Sequence, residues 1–590
     1  MTMAISSGDD NDASKPPLLQ SQETSEHDTP SLNSNETDDI LYKVDDVPPW
    51  YVCLIFGVQH YLTMAGGTVI IPIIISSFLC MGEDDLARAA LVSTVLFHLG
   101  LVTLLQTTIG VRLPIIQGGS FTYLVPTIVL LTTIHEPCSA LPMANMTEVE
   151  REEVWQVRIR DVQGSIAIAS LFQIVIGVSG ITSLLQSWIS PLTVVPTMTL
   201  VGLSLFDLTA QQAARHWGIS SLTVALIVVF TQYLRNVKLP FLIYSYRKGF
   251  AVSRFRIFAC FPMLLAVFIS WMVCWILTVT DLLPEGSAPR TDVKGSFLNN
   301  SPWFRVPYPG QWGFPKASVA GVVSILSGTI ASIIENFSNY YACARVAGVS
   351  NPPTNAINRG IGIEGIGCLL AGLIGTGSGT TCSTQNVGVI EITKVGSRRV
   401  VQYSAFLLIL TGLLGKTGGL FIAIPDPVLA GILIITFAMI TAAGMTSLQC
   451  IDLNSSRNLF VLGFSLFLGI ALPKWLQNNP GTIRTGVVML DQVLTVILQN
   501  PMFVGGFLGF FLDTTIPVNE YTVYSESWDK LGRERKSMSG VRAPSVAFGA
   551  KLLRPPVVPN PRQLFHHQGD SPVLGPAGLH HLQGPAPRGV

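Results

Sequence analysis

Apolar segments long enough to cross the hydrocarbon core of a bilayer follow one another along most of this chain. We predict about fourteen membrane spans, in two series of seven. The first series comprises residues 50–80, 88–110, 114–133, 165–185, 190–206, 217–234 and 257–280. The second comprises residues 318–341, 360–376, 378–393, 401–421, 425–444, 458–474 and 489–513. Only 12% of the residues are charged, whereas a soluble protein carries about 25%. The sequence therefore predicts an all-α polytopic membrane protein.

The charges of the connecting segments predict how the spans are oriented. The connection 235–256 carries six basic residues, and basic connections stay in the cytoplasm. Counting spans from that cytoplasmic connection places the acidic connection 81–87 outside the cell. An even number of spans then places both termini in the cytoplasm. Asn145 and Asn299 begin N-x-S/T triplets in predicted outside loops, so we expect both to be glycosylated. Cys80 and Cys138 also lie in outside segments, and whether they pair stays open.

The ends of the chain differ in composition from the hydrophobic middle. We predict a disordered cytoplasmic tail over residues 1–47, a transporter domain over 48–514 and a second cytoplasmic tail over 515–590. Lys+Arg 36 balances Asp+Glu 36, which gives no reason to expect a nucleic-acid partner. The sequence contains no zinc spacing, P-loop or G-x-S-x-G motif in a suitable loop, so we predict no enzyme and no metal or organic cofactor.

Two predicted spans, the third of each series, are interrupted by Gly and polar residues at 117–120 and 378–386. Interruptions at matching positions of two halves point to a transporter binding site, because broken helices offer dipole ends and backbone N–H groups to a polar solute. Seven spans in each half would reverse the second half and give an inverted repeat. The alternative is that these segments are seams where helices pack closely.

Ionisable residues inside a span are costly, by roughly 2.5–3.5 kcal/mol on insertion scales, and usually mark function. Glu335 lies deep in the eighth span, where it could accept two N–H groups of a flat heterocycle or, alternatively, serve as a structural carboxylate. Glu364 opens the ninth span and could contribute to ion coupling, bind the broken span or act as a cap near the interface. We expect Gln59 and His60 to form a packing and hydrogen-bonding pair rather than a proton relay.

The run from Gln385 to Lys394, QNVGVIEITK, resembles the signature Q-N-x-G-x-x-x-x-T-K/R/G of the nucleobase–ascorbate transporter family. Gln59-His60 and the runs 117–121 and 340–345 resemble further motifs of that family, and the likeness extends over residues 48–524. The resemblance implies a fourteen-span, seven-plus-seven inverted repeat with half-helices at spans 3 and 10. It also implies a core domain, about 48–185 and 318–421, and a gate domain, about 190–280 and 425–513.

The resemblance places the solute between the third and tenth spans, and implies that the core slides against the gate, often within a homodimer. The residues that we expect to bind substrate are Glu335, Gln385, Asn386, Ser120, Phe121, Thr384 and Asn339. We expect coupling or structural polar roles for Glu364, Gln59 and His60.

Gln385 implies the class of substrate, because ascorbate-carrying members of the family have Pro at this position. The animal branch that the chain resembles most, the sodium-dependent nucleobase transporters, moves uracil, thymine, guanine, hypoxanthine and xanthine. The resemblance therefore implies sodium-coupled uptake of nucleobases across the plasma membrane, with Na+ as the co-transported ion. A sodium-dependent ascorbate transporter remains an alternative.

A channel-like or non-transporting membrane protein is a further alternative, because the chain departs from the family after Glu335. The family usually has S-x-G-D-Y-Y there, whereas this chain has Asn-Phe-Ser-Asn-Tyr-Tyr over 336–341. The missing acid at Asn339 removes a charge close to the expected site.

Overall fold

The computed structural model of the protein describes residues 40–82, 85–182, 184, 186, 189–245 and 249–517, except for the side chains of 144, 241–255 and 450. Most of both predicted tails lies outside these residues. The part of the N-terminal tail that is described packs against the segment that follows the tenth predicted span: Leu41 N donates to Lys394 O at 2.8 Å, and Asp45 forms an ion pair with Arg398.

The described residues of the first half form ten α-helices and three strands. They are α1 (Trp50–Thr68), α2 (Ile70–Phe78), α3 (Ala87–Thr108), β1 (Gln117–Gly119), α4 (Phe121–Ile134), α5 (Glu148–Ser179), α6 (Pro191–Leu203), α7 (Phe206–Ala214), α8 (Trp217–Val228), β2 (Leu239–Ser245), β3 (Gly249–Phe255), α9 (Ile257–Cys260) and α10 (Pro262–Val279). The antiparallel hairpin β2–β3 occupies the connection 235–256, for which the sequence analysis predicts only a location.

Ten α-helices and one strand follow between residues 290 and 517. They are α11 (Gly295–Asn300), α12 (Val319–Val346), α13 (Thr354–Ile374), β4 (Thr380–Cys382), α14 (Thr384–Thr393), α15 (Arg398–Leu413), α16 (Gly415–Ile422), α17 (Asp426–Met445), α18 (Ser456–Asn478), α19 (Val488–Leu498) and α20 (Pro501–Thr515).

Each predicted span contains at least part of one of these helices, but some boundaries differ. The largest difference is α5, which begins at Glu148 instead of residue 165. Thr147 and Glu150 form a capping box there: Glu150 N donates to Thr147 Oγ1 at 3.4 Å, and Thr147 N donates to Glu150 Oε2 at 2.8 Å. These bonds satisfy backbone donors that the start of a helix leaves without partners, so the helix extends beyond the membrane-spanning part.

Among the described residues, nine helical stretches are long and apolar enough to cross a membrane, or ten if α19 and α20, bent by 76°, form one span. The class of helical membrane protein is confirmed, and the number of fourteen spans stays a prediction. Part of the difference lies at the two interrupted spans, because α4 has 14 residues and α14 has 10. A continuous helix needs about 20 residues to cross a bilayer.

The two interrupted spans meet in space. Strand β1 pairs antiparallel with β4, so that Gln117 lies opposite Cys382 and Gly119 lies opposite Thr380. Helices α4 and α14 begin directly after these strands, at Phe121 and Thr384. The pairing satisfies backbone groups that would otherwise lack partners where the helices stop, which a membrane interior requires. It also brings the N-termini of two half-helices to one place.

Helix α12 lies between the two broken spans and their neighbours, in contact with α4, α5, α13, α14 and β4, and it also contacts α6, α19 and α20. Helix α17 packs instead on α6, α7 and α8. Cys80 and Cys138, whose pairing the sequence leaves open, form a disulfide that ties the end of α2 to the segment after α4. The structure thus builds α12, the strands and the half-helices into one group around the two breaks.

Candidate functional site

The two intramembrane glutamates have different surroundings. Glu364 on α13 is 0% exposed, and its carboxylate accepts hydrogen bonds from Asn336 Nδ2 at 2.5 Å, Ser332 Oγ at 3.1 Å and Tyr340 OH at 3.4 Å. Glu335 on α12 is only partly buried, and none of the described residues hydrogen-bonds to its side chain. The Glu335 oxygens are therefore available to a ligand, whereas Glu364 is held by α12 and does not lie at an exposed interface.

Gln385 resembles Glu335 in having no hydrogen-bond partner among the described residues. Its half-buried side chain lies against α1, where a Cβ atom on Gly67 would be only 3.0 Å from Gln385 Oε1. A glycine at position 67 thus leaves room for the amide. Gln385 belongs to the first turn of α14, beside the exposed Thr384, so its amide is free to bind a solute at the end of the half-helix.

Asn386, by contrast, binds other parts of the protein. Its Nδ2 donates to the His60 carbonyl oxygen at 2.9 Å and lies 3.1 Å from His60 Nδ1, and its Oδ1 accepts from Ser383 Oγ at 2.8 Å. Asn386 is 1% exposed, and both His60 and Gln59 are buried in α1. These contacts join α14 to α1 and occupy the Asn386 amide within the protein.

The residues of the first break are also engaged with their surroundings. Ser120 is buried, with its Oγ 2.6 Å from Thr122 Oγ1, and its backbone N donates to Gly379 O at 3.2 Å. Phe121 is half-buried and packs edge-to-face against Phe437 of α17, with 5.5 Å between ring centroids. The start of α4 therefore contacts the other group of helices through an aromatic ring, which could also stack on a flat solute.

Two asparagines of α12 hold the second break. Asn339 Nδ2 donates to Cys382 O at 2.8 Å, and Asn339 Oδ1 accepts from Thr384 Oγ1 at 2.9 Å. Asn336 Oδ1 accepts from Cys382 N and from Thr381 Oγ1, both at 3.1 Å. Sequence reasoning treated Asn336 only as a departure from the family pattern. The signal that could have identified it is the spacing of the two amides. Asn336 lies three residues before Asn339, so both side chains lie on the same face of the helix.

The two predicted glycosylation residues and one groove are separate from the residues described above. Asn145 and Asn299 are exposed, as a glycosylated residue must be. A groove of about 400 Å3 between α5 and α13, lined by Asn355, Asn358 and Arg359 among others, contains none of the predicted substrate-binding residues.

Comparison with known proteins agrees with the motifs. Residues 52–478 match a family model described as "Permease family". The chain is 44% identical to solute carrier family 23 member 2 of Mus musculus, covering 94% of this chain and 85% of that protein. It is 48% identical to member 1 of the same species, covering 81% and 80%.

A plant protein is similar over the same region. The chain is 36% identical to nucleobase-ascorbate transporter 1 of Arabidopsis thaliana, covering 81% of this chain and 90% of that protein. These relatives are named as carriers, in agreement with the prediction that the chain is not an enzyme. The chain therefore belongs to the nucleobase–ascorbate transporter family and is a multi-pass membrane transporter.

Proposed function

We propose that this transporter carries nucleobases (uracil, thymine, guanine, hypoxanthine and xanthine) into the cell across the plasma membrane, driven by sodium. The observation that carries the proposal is the pair of unbonded polar side chains, Glu335 and Gln385, beside the start of the half-helix α14. Asn339, one turn from Glu335, is bonded to Thr384, the neighbour of Gln385. This bond is our reason for assigning Glu335 and Gln385 to one site.

The chemistry of these groups suits a neutral heterocycle. A carboxylate accepts the ring N–H groups of a base, and an amide both donates and accepts at another edge. Strands β1 and β4 and the helices α4 and α14 contain no basic residue, so these four elements offer no cation to pair with an anionic substrate such as ascorbate. A site with an acid and an amide favours the nucleobase over ascorbate.

The proposed mechanism is movement of the core against the gate, in a fourteen-span inverted repeat. Its support is that the third span of each half is broken and that the two breaks pair with each other. Helix α17 packs on α6, α7 and α8 of the predicted gate, whereas α12 packs on α4, α5, α13 and α14 of the predicted core and also contacts α6, α19 and α20 of the predicted gate, so we place α12 at the boundary between the two domains. The Phe121–Phe437 contact then lies at the sliding boundary.

The proposed orientation has both termini in the cytoplasm, with glycans on Asn145 and Asn299. The disulfide between Cys80 and Cys138 supports it, because disulfides persist on the oxidising side of the membrane and both cysteines lie in predicted outside segments. Sodium coupling and a homodimer are carried over from the family resemblance.

The test is uptake of labelled uracil by cells expressing the full chain, in sodium and in choline medium. We expect saturable uptake that requires sodium, is competed by unlabelled xanthine and is not competed by ascorbate. Glu335→Gln should abolish uptake at normal surface abundance. Glu391→Gln, which changes an exposed acid of α14, is the matched control and should leave uptake unchanged. Competition by ascorbate, or no uptake of any base by protein at the surface, would refute the proposal.

A further inference from the structure

The buried amide of Asn336 joins two elements that sequence alone does not connect. Its oxygen accepts from the backbone N–H of Cys382 on β4, and its nitrogen donates to Glu364 Oε1 on α13 at 2.5 Å. The same nitrogen donates to Ser332 O at 2.8 Å. A single planar group on α12 therefore links a buried carboxylate to the strand that precedes α14.

The neighbouring amide, that of Asn339, binds the same residue of β4 as Asn336 does. Asn339 Nδ2 donates to the carbonyl oxygen of Cys382, so both backbone polar groups of that residue are bound by α12 side chains. Asn339 also accepts from the Thr384 hydroxyl at the start of α14. A displacement of Asn336 would therefore shift β4 and the first turn of the half-helix together.

Only an amide of this length can form both bonds of Asn336. A serine has one oxygen atom in place of two polar atoms and a shorter side chain. An aspartate could accept from Cys382 N–H but could not donate to Glu364, and it would place a second negative charge beside that carboxylate. The asparagine is thus specifically suited to connect Glu364 with β4.

We propose that Asn336 is a positioning residue that transmits changes at the Glu364 carboxylate, such as binding of a cation, to β4 and the N-terminus of α14. This inference rests on the proposed function, because α14 holds the Gln385 amide that would bind the base. It concerns how the ion and the solute communicate and adds no group that touches the solute.

The first test does not depend on transport. Hydrogen–deuterium exchange is measured for segment 380–386 in the purified full chain. Asn336→Ser and Glu364→Gln should each speed exchange in that segment, and the double variant should exchange no faster than the faster single variant. Asn355→Ser, which changes an exposed asparagine of α13, is the control and should have no effect. Unchanged exchange in Asn336→Ser would overturn the proposal.

The second test exchanges the hydrogen-bond donor and acceptor between positions 336 and 364. In Asn336→Asp combined with Glu364→Gln, the new carboxylate can accept from both the Cys382 N–H and the new amide, so the link is formed again. Each single change should lower sodium-dependent uracil uptake and shift the sodium concentration for half-maximal rate. The double variant should exceed the product of the two single effects by roughly 2- to 150-fold, the range for directly contacting residues.

The two tests separate this inference from the proposed function. Purely multiplicative effects on uptake would overturn the inference even if uracil is transported, because they would show that the pair does not act as a unit. Absence of uptake in the unmodified protein would refute the proposed function. The exchange experiment by itself would then test whether Asn336 positions β4 and the start of α14.

Discussion

Replacing Asn386 by alanine distinguishes a structural role from a ligand role. The change removes the amide nitrogen bonded to His60 and the amide oxygen that accepts from Ser383. A lost hydrogen bond costs about 0.5–1.5 kcal/mol, and a buried donor left without a partner costs about 1–3 kcal/mol. The two losses together predict that Asn386→Ala lowers the free energy of unfolding by about 1.5–4.5 kcal/mol.

The assay combines thermal stability with uptake kinetics. The fraction of protein that stays monodisperse in detergent after heating should fall at a lower temperature for Asn386→Ala than for the unmodified chain. Residual uracil uptake per surface molecule should keep a nearly unchanged KM, because the amide binds α1 and not the solute. The matched comparison is Gln385→Ala, which removes an amide with no partner among the described residues and should raise KM at unchanged stability.

The opposite pattern would refute the reasoning. Normal thermal stability of Asn386→Ala, together with a KM raised tenfold or more, would show that its amide binds solute during transport. The contacts with His60 and Ser383 would then describe only the state without substrate.

Three further predictions follow from packing, the disulfide and the exposed sequons. Gly177→Ala places a methyl group 2.3 Å from a backbone atom of α13, so we expect a loss of about 1–3 kcal/mol, seen as a lower denaturation temperature. Gly463→Ala is the control, since its Cβ meets nothing within 4 Å; an equal effect of both would contradict this cause. Cys80→Ser should release the partly exposed Cys138 thiol, which maleimide then labels without reductant; labelling no greater than that of the unmodified chain would contradict the disulfide. Asn145→Gln with Asn299→Gln should abolish the mobility shift caused by glycosidase, and a persisting shift would place a glycan elsewhere.

Both breaks could be predicted from the sequence because glycine and polar residues contradict a continuous lipid-facing helix. The segments 117–120 and 378–386 stand out for this reason, and the family signature that begins at Gln385 supports the same position. The start of α5 could also be predicted, since Thr147 and Glu150 have the spacing of a capping box.

The partners of the site residues could not be predicted in the same way. Asn386 and His60 are 326 residues apart, and Gln117 and Cys382 are 265 apart. No local periodicity reports which polar groups meet over such separations. An amide inside a span therefore resembles a ligand-binding group whether it is free, as Gln385 is, or bonded to a neighbouring helix, as Asn386 is.

The pairing of β1 with β4 also has a consequence for biogenesis. Strand β1 emerges from the ribosome and enters the membrane long before residues 380–382 have been synthesised. Until then, its backbone N–H and C=O groups lack these partners at membrane depth, where each unsatisfied group costs several kcal/mol. A premature stop codon before residue 380 would make that defect permanent. We therefore expect such a truncated product to be retained and degraded, and not to reach the cell surface as half of a transporter.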